Sequence, residues 1–329
     1  MASNYKNTDY MYASARIRAM ETALIGEEQL ARLCEATDSG EVLAVLSETE
    51  TSSEGSREDL IRARLRRGYA ELDAMGGSLA VSFLRYPHDC NNLKALIKCF
   101  ATGADPEELL SEGLGSLALS TIREAFEDKC YTCFPPHMAA IAPEAERVFA
   151  ESGNPQAVDL MMDRACFADM LDAAKASGMD YALRLIQARI DLVNLLTTLR
   201  LCRMNLRAAA EPLLREALLF GGALDHDLLC EALSSGEDFL AERLAYTPYS
   251  ALSSYLNPET PLGTIERACD NLRMEIAKEA KFFPFGAELM IGYVMALEYE
   301  AMNLRILLAG KDASLPPDVI RERLRKSYV

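Results

Sequence analysis

The nine residues DLVNLLTTL (191–199) return twice in the same chain, as DCNNLKALI (89–97) and EAMNLRILL (300–308). Each copy reads acid, two residues, Asn-Leu, two residues, then Leu or Thr followed by Ile or Leu. The asparagines Asn92, Asn194 and Asn303 stand 102 and 109 residues apart, close to a third of the 329-residue chain. Self-similarity at a long period marks a supersecondary unit used more than once. On a helix, residues three and four apart share a face. Asp89, Asp191 or Glu300 therefore lies beside its asparagine, and Leu96, Thr198 or Leu307 extends that face by a turn. One reading is a polar recognition point used three times. The other is a buried asparagine whose hydrogen bonds fix how helices dock, since a satisfied buried polar group specifies register. The flanking residues are packing residues, which favours docking.

Other signals share this period. A proline follows each motif, at Pro106, Pro212 and Pro317, which are 14, 18 and 14 residues beyond the asparagine. Each is expected to open a helix, because the first helical position makes no use of its N–H. LCEATDSGE (33–41) and LCEALSSGE (229–237) agree at seven of nine positions. The expected organisation is three similar helical units, 1–115, 116–220 and 221–329.

The composition agrees with helices throughout. Leu (48) and Ala (47) dominate, while Ile (13) and Val (9) are few. Strands draw on β-branched and aromatic residues, helices on Ala, Leu, Glu, Arg and Met. The fold class is all-α. Ala13, Ile17, Met20 and Leu24 make one apolar stripe at helical spacing, and Ile186, Ile190, Val193 and Thr197 make another. Gly, Pro, Asn and Ser interrupt the pattern at 47–56, 75–77, 133–137, 151–155, 256–261 and 311–317. Ten to fifteen short helices are expected.

Charge and cysteines narrow the setting. The net charge of −16 repels nucleic-acid phosphates and the anionic face of a membrane, so nucleic-acid binding is disfavoured. The longest uncharged apolar run, LMIGYVMAL (289–297), has nine residues. A membrane span needs roughly 20. The first twenty residues lack the apolar core of a secretory signal. Nine cysteines at irregular spacing, in a chain long enough for its own core, read as reduced thiols rather than a disulfide framework. A soluble, cytoplasmic protein is expected.

Candidate chemistry is sparse. Gly310 and Lys311 are followed by Asp312, so no nucleotide phosphate loop is present there. Gly113, Gly115 and Ala118 match a dinucleotide fingerprint, but residues 106–110 before them read as a helix start, where that motif needs a strand. Cys130, Cys133 and His137 could supply three zinc ligands. No second Cys-x-x-Cys completes them and His88 and His226 are isolated, so two buried thiols beside a Pro-Pro turn are the preferred reading. His88 and Cys90 flank Asp89, but each step along a helix turns about 100°, so the two point to nearly opposite sides and cannot pair as base and nucleophile. The acidic runs at 48–50 and 143–147 read as solvated loops and helix starts. The basic stretch RERLRK (321–326) could meet an acidic partner or lipid headgroups, or could complement its own helix dipole. No catalytic, cofactor-binding or metal-binding residue is expected.

With the repeat in place, the chain resembles the C subunit of the bacterial and archaeal V-type (A-type) rotary ATPases, the equivalent of the d subunit of the eukaryotic vacuolar enzyme. The resemblance rests on YASARIRAME (12–21), on the motifs around Asn92, Asn194 and Asn303, and on EAMNLRILLAGK (300–311) with Leu315, Pro316 and IRERL (320–324). It implies three similar helical units about a pseudo-threefold axis, arranged as a funnel. It implies a non-catalytic rotor subunit without cofactors, on the cytoplasmic side of the membrane proteolipid ring, that receives the central stalk and passes torque. Membrane association would then come only through the complex. The middle copy departs in having Thr198 and in lacking a glycine like Gly103 or Gly310. Two other readings stand beside this one. A free-standing helical scaffold would need repeats of about 34 to 47 residues to be an ordinary solenoid. A zinc enzyme would use Cys130, Cys133 and His137.

Overall fold

A computed structural model describes residues 10–47, 57–204 and 209–329, with the side chains of residues 47, 78 and 79 left aside. Among these residues every regular element is a helix. In chain order they are α1 (Met11–Glu21), α2 (Glu27–Glu35), α3 (Ser39–Ser47), α4 (Arg57–Ala74), α5 (Ser78–Thr102), α6 (Leu119–Glu127), α7 (Pro136–Ser152) and α8 (Pro155–Ser177). There follow α9 (Asp180–Arg203), α10 (Ala210–Ala217), α11 (His226–Ser235), α12 (Glu237–Leu244), α13 (Leu262–Lys278), α14 (Ala287–Asp312) and α15 (Pro317–Arg321).

The all-α expectation holds, but the helices are not uniformly short. The three motif helices α5, α9 and α14 have 25, 24 and 26 residues. Each carries a core face over its whole length, which sustains a helix better than local propensity does. The breaks at 75–77, 133–137, 151–155, 256–261 and 311–317 fall between helices. The break expected at 47–56 and the acidic run at 48–50 lie almost wholly outside the described residues. Leu24 falls beyond α1, which ends at Glu21. Pro106 precedes only a single 3-10 turn, Glu107–Leu109, where an α-helix was expected. Pro212 lies in the first turn of α10, and Pro317 is the first residue of α15.

The described residues divide into two compact units, one within residues 80–259 and the other formed by residues 10–47, 57–79 and 260–329. In the first unit, α7 and α8 form a hairpin. Gly153 closes α7 in the left-handed region at φ 62°. Asn154 then caps α8, accepting the Gln156 N–H at 3.0 Å, and Pro155 fills the first helical position. Met138, Ala142 and Phe149 on α7 and Val158, Met162 and Cys166 on α8 are buried. The other side of the core comes from α9, through Leu185, Ile186, Ile190, Leu195 and Leu199. Full burial of such a side chain stabilises by about 1.5–3 kcal/mol each.

The second unit is organised around α14. This helix is buried on every side from Ala287 to Leu297, and α1, α3, α4 and α13 pack on it. A helix apolar all round belongs at the centre of a core. The nine-residue run at 289–297 is that centre. Gly68 on α4 lets the two helices approach, since a Cβ there would meet Leu297 Cδ1 at 2.3 Å. No helix among the described residues is long and apolar enough to cross a membrane.

Candidate functional site

Each repeated asparagine grips both polar backbone groups of one residue downstream. Asn92 Nδ2 donates to the Ser111 carbonyl at 3.2 Å, and its Oδ1 accepts the Ser111 N–H at 2.8 Å. Asn194 does the same to Leu219, at 2.8 and 2.8 Å. Asn303 does the same to Arg325, at 2.9 and 2.8 Å. All three asparagines are at most 2% exposed. The amide is thus satisfied at both ends, and an irregular segment is tied to a long helix where no regular ladder could hold it.

The acid one turn earlier holds the start of the next short helix. Asp89 accepts the Ser116 N–H at 2.9 Å, the Ser116 hydroxyl at 2.6 Å and the Leu117 N–H at 3.2 Å, just before α6. Asp191 accepts the Ala223 and Leu224 N–H groups at 2.8 and 3.0 Å, just before α11. It also accepts the Tyr249 hydroxyl at 2.5 Å. Glu300 accepts the Ile25 N–H at 2.6 Å, just before α2, and pairs with Arg64. Burial pushes the Asp89 carboxyl above its usual range, against the hydrogen bonds from Ser116 and Leu117. Burial and the Asp191 contact push the Tyr249 phenol far up. Close approach explains two glycines: a Cβ at Gly115 would lie 1.9 Å from Asp89 Oδ1, and one at Gly222 would lie 2.0 Å from Asp191 Oδ1. The third copy has Leu24 before the held amide, and a glutamate with one more methylene reaches it.

A further lock went unread in the sequence. The residues eight positions beyond each asparagine are Phe100, Cys202 and Lys311. Each meets the last turn of the short helix that its motif helix holds. Phe100 packs edge-on against Phe126 of α6, with ring centroids 5.6 Å apart. Cys202 Sγ donates to the Ala232 carbonyl of α11 at 3.6 Å. Lys311 Nζ donates to the Cys34 and Ala36 carbonyls at the end of α2, both at 2.5 Å. A cation there also suits the negative end of the helix dipole. Because aromatic, thiol and ammonium share no residue type, the periodic position alone could have revealed them. Asp169 was missed too; it accepts the His137 and Met138 N–H groups at 2.9 and 2.8 Å and so caps α7.

The remaining candidates are not assembled into chemistry. Among the described residues no group of three His, Cys, Asp or Glu is arranged to hold a metal. Cys130 is exposed and Cys133 half-buried, so the expected pair of buried thiols is corrected for Cys130. His137 Nε2 lies 3.0 Å from Asp172 Oδ2. Cys90 is buried, with Sγ 3.5 Å from the Met162 carbonyl. The Cys166 thiol and burial hold it well above the usual thiol range, which is the reverse of an activated nucleophile. Gly113 and Gly115 lie in the turn before α6. The basic stretch is tied to α13: Arg325 Nε pairs with Asp270 at 2.9 Å and Lys326 Nζ with Glu275 at 2.9 Å.

Fold and contacts together define an all-helical protein in which polar residues, repeated three times, hold the chain's own backbone. A family model described as the ATP synthase (C/AC39) subunit matches residues 13–323, and the chain belongs to that family. It is 28% identical to the C subunit of the A-type ATP synthase of Haloferax volcanii, over 95% of this chain and 96% of that protein. It is 27% identical to the C subunit of the V-type ATP synthase of Thermus thermophilus, over 96% and 98%. It is 24% identical to the C subunit of the V-type sodium ATPase of Enterococcus hirae, over 72% of each.

Proposed function

We propose that this chain is a non-catalytic rotor subunit of a V-type or A-type ATPase, coupling the central stalk to the membrane proteolipid ring. The observation that carries the reading is the threefold recurrence of one clasp, on α5, α9 and α14, in a member of this family. We take the three clasps to mark three similar helical units, 1–115, 116–220 and 221–329, set about a pseudo-threefold axis as a funnel. A torque coupling needs helices that do not slip. Buried, fully satisfied polar contacts on close-packed helices resist slippage better than apolar packing alone, because a displaced donor has no alternative partner.

In this reading the chain uses no cofactor or metal and binds no nucleic acid. It sits on the cytoplasmic face and touches the membrane only through its complex, handling ion transport without carrying ions itself. The net charge of −16 suits a socket for a basic stalk, since opposite potentials steer association and fix register. Assembly with the stalk should therefore weaken as ionic strength rises; insensitivity to salt would remove the electrostatic part of the proposal.

The test is a pull-down of the tagged chain from its native membranes in mild detergent, followed by mass spectrometry. Co-recovery of a small hydrophobic proteolipid with stalk and nucleotide-binding subunits is expected. Recovery of the chain alone, and only from the soluble fraction, would overturn the reading in favour of a free-standing scaffold.

A further inference from the structure

The second unit contains a cavity of about 240 Å³ lined by residues of α1, α4 and α14 and of the turn after α1. Its polar lining consists of Arg16, Arg64, Arg67 and Tyr293 together with one acid, Glu71, so three cations face a single carboxylate. In a chain of net charge −16 this is a local concentration of hydrogen-bond donors. Arg64 is fixed in place: it pairs with Glu300 and its Nη2 donates to the Ala23 carbonyl at 3.0 Å. Arg16 is oriented by Glu71 and by the Tyr12 hydroxyl, 3.3 Å from Nη1.

Tyr293 supplies the independent sign of a ligand. It is 5% exposed, yet among the described residues its hydroxyl has no hydrogen-bond partner and it lines the cavity. A hydroxyl at the wall of a cavity is ordinarily satisfied by whatever fills the cavity. Burial pushes this phenol up to about 12, so it is a neutral donor at physiological pH. Guanidinium carries five donors and no acceptor, and it matches phosphate oxygens in bidentate fashion.

We propose that this cavity binds a phosphate oxyanion, as free phosphate or as the phosphate of an ester, held by Arg16, Arg64, Arg67 and Tyr293. Donors that come from three helices suit a tetrahedral anion with three or four oxygens. A planar carboxylate is filled by a single guanidinium fork. Met20, Leu24 and Leu297 also line the cavity and give an ester's carbon chain an apolar wall.

The test is calorimetric titration of the full chain, at constant ionic strength, with inorganic phosphate, with sn-glycerol 3-phosphate and with phosphatidylcholine vesicles containing phosphatidic acid. Saturable binding at one site is expected from the soluble phosphates if the source is free in solution, or from the vesicles alone if it is a lipid headgroup. Tyr293→Phe should weaken binding roughly tenfold or more, as the loss of one hydrogen bond to a charged group does. Arg67→Gln should weaken it at least as much. Absence of saturable binding in all three arms would overturn the proposal, as would equal affinity in wild type and Tyr293→Phe. Acetate binding as tightly as phosphate would overturn the assignment to phosphate. Tyr293→Phe removes a hydroxyl with no protein partner, so its folding, checked by circular dichroism, keeps the comparison valid if Arg67→Gln fails to fold.

Discussion

The Glu300 carboxylate accepts the N–H of Ile25 at 2.6 Å, across 275 positions of sequence. Glu300 thus does for α2 what Asp89 does for α6 and Asp191 for α11. The likeness of residues 33–41 to 229–237 acquires a physical reason, because α2 and α11 are the short helices held by the third and second copies of one motif. Removing the charge should expose the strength of this hold. Glu300→Gln leaves Arg64 facing a neutral amide in a buried site and should destabilise by about 2–4 kcal/mol. Urea unfolding measures this, and a change below about 0.5 kcal/mol would refute the role.

Asn194→Ala should cost about 2–4 kcal/mol, because both the N–H and the C=O of Leu219 lose a buried partner. Asn303→Ala acts on Arg325 in the other compact unit. The two share no partner, so their effects on total unfolding free energy should add within about 0.5 kcal/mol. Strong non-additivity in the double variant would show that the clasps are energetically linked.

Gly222→Ala should destabilise by about 1–3 kcal/mol, since its Cβ would stand 2.0 Å from Asp191 Oδ1. Gly263→Ala is the matched control: it lies in the first turn of α13 with nothing within 4 Å of its Cβ. That change should be neutral or stabilise by up to about 1 kcal/mol. Thermal unfolding of the pair gives the comparison, and equal losses would mean the Asp191 contact is not the cause.

Alkaline stability should depend on Tyr293. Burial raises this phenol from 10.0 to about 12, so folding favours the protonated form. The stabilisation is fully present below pH 10 and is lost as pH rises through about 12, for a total of roughly 3 kcal/mol. Tyr293→Phe lacks this loss. Its urea midpoint, compared with wild type, should therefore improve steadily above pH 10. Parallel curves would contradict the assignment.

Metal analysis provides a separate check on Cys130, Cys133 and His137. Less than about a tenth of an equivalent of zinc is expected after purification without chelator, given that no set of three ligands is assembled among the described residues. A full equivalent, lost in Cys133→Ser, would revive the zinc reading.

The motif helices could be read directly, because Asp, Asn and Leu at helical spacing are side-chain signals. Their partners could not. Ser111, Leu219 and Arg325 are gripped through N–H and C=O groups that every residue but proline carries, so nothing in their identities marks them. The same holds for Ile25. The expectation of short helices failed at α5, which continues through Pro87, and at α7, which continues through Pro143. Proline removes one donor, and packing along the rest of each helix outweighs that loss. The stretch 321–326 was read from its charge alone, and the acids that bind its Arg325 and Lys326, Asp270 and Glu275, lie on a helix about fifty residues earlier. The cavity at Tyr293 had no sequence signal, since α1, α4 and α14 come together only in the fold.

The division of the second unit between residues 10–47 with 57–79 and residues 260–329 imposes a timetable on synthesis. A ribosome delivers α1 and α4, with their core residues Ile17, Leu65, Tyr69 and Leu72, long before α14, the helix on which both pack in the finished core. Residues 80–259 are complete in the interval and can fold as they emerge, because compact units form in order of delivery. The nascent chain thus carries an uncovered apolar surface at its leading end for the time needed to translate some two hundred further codons. The part of the second unit made first is the part that must wait.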